Sequence, residues 1–207
     1  MKKTKDGFKN FWHYNKGKVI AVVALAVIIV LSAVQCGNRT EFDLSVLYVC
    51  EEKGKTGDVL LPMLASSDEV KQSCGKDNPK LNFKAIYISP DEAERMEDRV
   101  HELLQVEFAS GECNLYFIDK ETMYTYKDLG GFYDLTDYAD KYSVAEEDRY
   151  LTSDGKVCGI SVAENSALAS CGLGGEGMYM AIRNHTDKTD NEYQIAYGAL
   201  EYILLNK

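Results

Sequence analysis

Histidine is nearly missing from this sequence: His13, His101 and His185 are the only three in 207 residues, and no two lie near each other. Neither an H-E-x-x-H pair nor a G-x-S-x-G elbow occurs, so a zinc hydrolase or a serine triad has no local signal. Close cysteine pairs are missing too. Cys36, Cys50, Cys74, Cys113, Cys158 and Cys171 contain no C-x-x-C, the spacing that structural zinc sites usually show. Five of them follow Cys36 to the carboxyl side or lie at irregular intervals beyond residue 36, an odd number that leaves at least one thiol unpaired within a monomer. Clustered basic residues are absent beyond the first 18 positions, and the chain carries a net charge of −10. Nucleic-acid phosphates and anionic lipid surfaces both require such clusters, so neither is expected as a partner of the main domain. The acidic groups Glu51-Glu52, Asp68-Glu69 and Glu146-Glu147-Asp148 do not form a calcium loop. The glycine run Gly172–Gly177 precedes a strand instead of opening a helix, so a flexible surface loop is expected there, not a phosphate cradle. No cofactor and no metal are expected.

What the sequence does contain starts with Val19–Val34, VIAVVALAVIIVLSAV, a run without charge. Extended to Cys36 it gives a helix of about 27 Å, close to the thickness of a thin bilayer. Six lysines against Asp6 precede it, and Phe11, Trp12 and Tyr14 lie just before the apolar stretch. Cationic flanks stay in the cytoplasm and aromatic rings favour the interface. The expected organisation is a cytoplasmic stub at 1–18, a transmembrane signal anchor at 19–36, a tether at 37–42 and an extracytoplasmic α/β domain at 43–207. A cleavable signal would need small residues at −3 and −1, and the 18 residues before the apolar run are long for one, so an uncleaved anchor is expected. Gln35 before Cys36 departs from a lipidation signal.

Within the domain, strands are expected at 43–50, 81–88, 113–118, 156–162 and 178–183, the first a mostly apolar run suited to a sheet covered on both faces. A short helix at 59–65 is followed by a polar loop. Ser89-Pro90 with Glu92 forms a capping box for a helix ending near Gly111, Asp119 can cap a helix to about Leu129, and Thr189 with Glu192 opens the last one. This alternation predicts an α/β fold with a mostly parallel sheet. Fourteen tyrosines are present, and Tyr124, Tyr126, Tyr133, Tyr138 and Tyr142 crowd one region. Tyrosine can stack on a flat ligand such as a sugar, and equally packs helix–sheet boundaries.

Two passages resemble a known family. Gly130-Gly131-Phe132-Tyr133-Asp134-Leu135-Thr136-Asp137-Tyr138 and Asp154-Gly155-Lys156-Val157-Cys158-Gly159-Ile160-Ser161-Val162 are similar, in order and separation, to segments of extracellular solute-binding proteins of ABC importers. Cys158 stands where that family carries an aromatic residue, and Ser161 where it carries proline. The resemblance covers about residues 43–165 and implies a single periplasmic-binding-protein-like lobe, because the 171 residues beyond Cys36 suffice for one domain. It therefore implies a non-catalytic, membrane-tethered recognition or assembly module, with membrane lipid met through the anchor and an envelope protein or a small solute such as a sugar as partner. A parallel sheet binds ligands beyond the carboxyl ends of its strands. The loops after the first and third strands thus nominate Glu52, Asp119 and Tyr124. Two rivals are a solute-binding component that dimerises and an envelope hydrolase built on two converging carboxylates, one with a raised pKa.

Overall fold

The computed structural model describes residues 15–17, 20–27, 42–50, 55–88, 102–109, 113–184 and 191–206. The chain divides into two compact units, Met1–Glu41 and Phe42–Lys207. In the first, residues 20–27 are helical, and the apolar side chains of Ile20, Val22, Val23, Leu25 and Val27 are exposed. Among the described residues no helix is long and apolar enough to cross a membrane. The run at 28–36, the capping box at Ser89–Glu92, the Thr189 cap, Glu52 and all three histidines lie outside the described residues.

The second unit is a three-layer α/β/α sandwich. Its elements are β1 (Leu44–Cys50), α1 (Leu60–Ser66), α2 (Asp68–Cys74), β2 (Leu81–Tyr87), α3 (102–109), β3 (Leu115–Asp119), α4 (Lys120–Tyr126), α5 (Thr136–Lys141), β4 (Arg149–Leu151), β5 (Val157–Ser161), α6 (Ser166–Ser170), β6 (Met178–Ile182) and α7 (Asn191–Leu205). β1 is buried at every position because both faces of the sheet are covered. Leu44, Val46 and Tyr48 pack with Leu60, Leu64, Val70, Ala196 and Leu200 on one face. Leu47 and Val49 join Leu104, Tyr116, Met123 and Tyr126 on the other. Cys50, Cys113 and Cys158 are buried as small apolar side chains.

The six strands lie in the order β2-β1-β3-β6-β5-β4. β1 pairs in parallel with β2 and β3, whereas β6 runs antiparallel to both β3 and β5, and β4 antiparallel to β5. The expected mostly parallel sheet is therefore corrected to a mixed one. A parallel crossover must carry the chain back along the full length of a strand. α6 has five residues, a rise of about 7.5 Å, against about 16 Å for a five-residue strand. The chain consequently re-enters the sheet from the edge it has just left, with Val162 N donating to Met178 O. On the outer side, Thr152, Asp154 and Gly155 close the β4–β5 hairpin, with Gly155 at φ +84°.

One helix replaces the polar loop expected after residue 65, and a second lies in a stretch for which no element was expected. α2 is capped by Ser67, whose hydroxyl accepts from Val70 N, and ended by left-handed Gly75, but Val70 is its only buried residue. Such a polar helix has no apolar stripe to announce it. α5 is six residues long and buries only Ala139.

α2 and α7 meet at Gly198, where a Cβ would lie 2.5 Å from Ser73 Oγ and 2.7 Å from the Glu69 carbonyl oxygen. Alanine gains about 1 kcal/mol of helix propensity over glycine, while forcing two packed backbones apart costs about 1–3 kcal/mol. The clash with a backbone oxygen decides the sign. Gly198→Ala is expected to unfold at a lower temperature than the parent, as read by circular dichroism at 222 nm. An unchanged or higher midpoint would show that the helices separate without cost.

Candidate functional site

At the carboxyl edge of the sheet, Asp119 ends β3 and begins α4. Its Oδ1 accepts from Glu121 N at 3.0 Å and Thr122 N at 2.9 Å, and its Oδ2 accepts from Thr122 Oγ1 at 2.7 Å. It is the helix cap the sequence predicts, with both oxygens engaged in that duty. The glycine run beside it is anchored, contrary to the expected flexible loop. Leu173 is fully buried, its carbonyl accepts from Tyr48 Oη at 3.1 Å, and Lys55 Nζ donates to Gly172 O at 2.6 Å. Gly172 and Gly177 adopt φ of +67° and +78°, which explains glycine there.

Tyr124 points outward from α4 and is 71% exposed. Lys127 lies one turn on, with Nζ 5.4 Å from the Tyr124 ring centre and 5.9 Å from that of Tyr150. Tyr150 in turn meets Tyr179 edge to face at 4.8 Å. Three tyrosines and a lysine thus form one aromatic–cationic platform on the α4 side of the outer strands, with exposed Leu151 offering its carbonyl to Lys127 Nζ at 3.5 Å. The other crowded tyrosines are structural. Tyr126 is buried against Phe108, and Tyr133 and Tyr138 pack on Tyr197 of α7, the latter stacked at 4.9 Å. Sequence proximity gathered residues that the fold sends to opposite faces.

Next to the platform, at the amino end of β5, lies a cavity of about 490 Å³ between the end of α4, the β4–β5 hairpin, the segment Phe132–Asp134 and Asn184. The two passages that resemble solute-binding proteins meet here. Asp134 Oδ1 accepts from Thr136 N at 3.0 Å and Thr136 Oγ1 at 2.6 Å, and Thr136 Oγ1 itself accepts from Val157 N at 3.1 Å. Leu135 N donates to Val157 O at 2.7 Å, and the Leu135 side chain is fully buried. The Asp-Leu-Thr motif is therefore a lock that fastens the Gly130–Tyr138 segment to β5. On the far rim, Asp128 accepts from both Ser153 N and Ser153 Oγ at 2.7 Å, joining α4 to the hairpin. Asp154 takes Thr152 Oγ1 at 2.5 Å and Lys156 Nζ at 3.0 Å.

These contacts fix the chemistry of the rim. Hydrogen bonds from the Ser153 backbone and side chain hold the Asp128 carboxyl below its ordinary range, and Thr152 and Lys156 do the same for Asp154. A hydrolase of the type considered above needs the reverse, a carboxyl pushed up to hold a proton near neutrality. Burial pushes the Cys158 thiol up to about 11, which keeps it protonated and unreactive. Among the described residues no group of three His, Cys, Asp or Glu is placed to hold a metal ion. Lys127, Asp128, Tyr150, Ser153 and Tyr179 were not nominated from sequence. Only Lys127, one helical turn from Tyr124, carried a local signal.

Because the Asp128 carboxyl is held below its ordinary 3.8, its contribution to stability is present above that pH and lost as pH falls through the folded value. Asp128→Asn removes the titration. The thermal midpoint of Asp128→Asn is expected to lie below that of the parent at pH 7, with the gap narrowing as the pH falls below 3.8. A gap independent of pH would assign Asp128 a purely steric role.

No family model and no curated protein matches this chain. Among solved structures, an ABC substrate-binding protein from Listeria monocytogenes in complex with cycloalternan is 19% identical, overlapping 58% of this chain and 28% of its own, with a TM-score of 0.35. The galacto-N-biose-/lacto-N-biose I-binding protein of the ABC transporter from Bifidobacterium longum, bound to lacto-N-biose, is 17% identical over the same shares, also at a TM-score of 0.35. A de novo designed cysteine esterase is 18% identical, over 59% of this chain and 28% of its own, again at 0.35. The chain spans less than a third of the length of each of these structures.

Proposed function

We propose that this chain is a non-catalytic recognition module, tethered by residues 19–36 to the outer face of a bacterial plasma membrane, with residues 43–207 on the extracytoplasmic side. The platform of Tyr124, Lys127, Tyr150 and Tyr179 carries this reading. A tyrosine 71% exposed on a rigid helix, with a cation held over its ring, is arranged to stack on a flat polar partner and not to fill a core. The cap role of Asp119 and the depressed carboxyls of Asp128 and Asp154 favour binding over chemistry. The exposed apolar helix at 20–27 and the lysines before it favour insertion into lipid with the amino terminus inside. The partner on the platform is a small solute such as a sugar.

The test is thermal unfolding of the full chain with lacto-N-biose and cycloalternan as first probes. A probe that binds only the folded state adds about 2.7 kcal/mol at a hundred times its dissociation constant. A raised midpoint in the parent that disappears in Tyr124→Ala is the expected outcome. A shift that survives Tyr124→Ala would remove the platform as the binding surface.

A further inference from the structure

The lock and the hairpin clamp do not use all the polar groups around the 490 Å³ cavity. Asp128 commits both oxygens to Ser153, and Asp154 commits its own to Thr152 and Lys156. Lys156 is bonded to Asp154 and is also a cationic neighbour of Asp134, and two opposite charges keep hydrogen-bonding capacity to spare. Asp134 engages Thr136 through Oδ1 alone, and its Oδ2 has no hydrogen-bond partner among the described residues. Lys127 Nζ reaches the Leu151 carbonyl at 3.5 Å and the faces of two rings. Lys127 and Asp134 both line this cavity. Between them, Phe132 and Val157 supply apolar lining from buried positions.

A ligand seated here takes water away from an ammonium and a carboxylate together. A neutral molecule returns no charge to either, and uncompensated desolvation of two ions is costly. A molecule with a charge of each sign repairs both. The volume falls at the small end of ligand cavities, enough for an amino acid or a dipeptide. We propose that this cavity binds a small zwitterion, with its ammonium on Asp134 Oδ2, its carboxylate on Lys127 Nζ and its side group over Phe132. The proposal rests on the recognition role above and adds to it a ligand class and a site on the amino edge of the sheet.

The experiment is titration calorimetry of the full chain with glycyl-L-phenylalanine, its N-acetyl form, its C-terminal amide, and mannitol as a neutral polyol. The free dipeptide is expected to bind, and each blocked form to bind about tenfold weaker or less, as the loss of one charged hydrogen bond implies. Asp134→Asn keeps an Oδ1 acceptor for Thr136, so its thermal midpoint should match the parent. It should bind the dipeptide about tenfold more weakly and no longer distinguish the N-acetyl form. Should that variant be unstable, Lys127→Met serves instead, losing discrimination against the amide. No heat from the dipeptide at millimolar concentration, or equal binding of dipeptide and N-acetyl form, overturns the proposal. A Tyr124-dependent sugar shift alongside a silent dipeptide would leave the recognition role standing and remove the zwitterion. Dipeptide binding alongside silent sugars would do the opposite to the platform.

Discussion

The antiparallel return of β6 between β3 and β5 is the constraint from which the rest of the domain's geometry follows. Without it, the parallel triplet β2-β1-β3 and the hairpin β4–β5 would be two separate ribbons, each with an open edge. β6 closes both edges at once. Entering at Met178, it brings the glycine run alongside Lys120 at the carboxyl edge of the sheet. Leaving at Ile182, it carries Arg183 into a bridge with Phe132 and places Asn184 against the Gly130 and Gly131 carbonyls. Both ends of one strand thus shape features some 16 Å apart.

The parallel half of the domain was legible in the sequence because its signals are local. A mostly apolar run gave β1, and Asp119 gave both the end of β3 and the start of α4. The mixed character of the sheet was not legible, since strand direction depends on whether a connection can span the sheet, and α6 is too weakly patterned to show its length. The polar helix α2 was hidden for the same reason. Tyr124 could be picked out as one tyrosine among many, but its partners Tyr150 and Tyr179 come from strands 26 and 55 residues further on. That pairing is a product of sheet order, to which composition is blind.

The two passages that resemble solute-binding proteins turn out to be architectural. Asp134, Leu135 and Thr136 fasten one segment to β5, and the Asp154-Gly155 turn sets the hairpin that Asp128 then grips. Resemblance in such residues speaks of how a lobe is assembled. Tyr124 and Lys127 of the exposed platform stand outside both passages. Leu135 and Thr136 are committed to the fold, whereas Asp134 gives the lock only one of its two oxygens.

The middle place of β6 also dictates when the domain can form during synthesis. Strands β1, β2 and β3 are made early, yet the third has no neighbour on its far side until residue 182 has emerged. Ala196, Leu200 and Ile203 of α7 then cover the buried face of β1, more than 140 residues after that strand was made. At a translation rate of about 5–20 residues per second, the nascent chain carries an uncovered half-sheet for several seconds. That interval makes protection of the uncovered half-sheet against aggregation a kinetic demand of the topology.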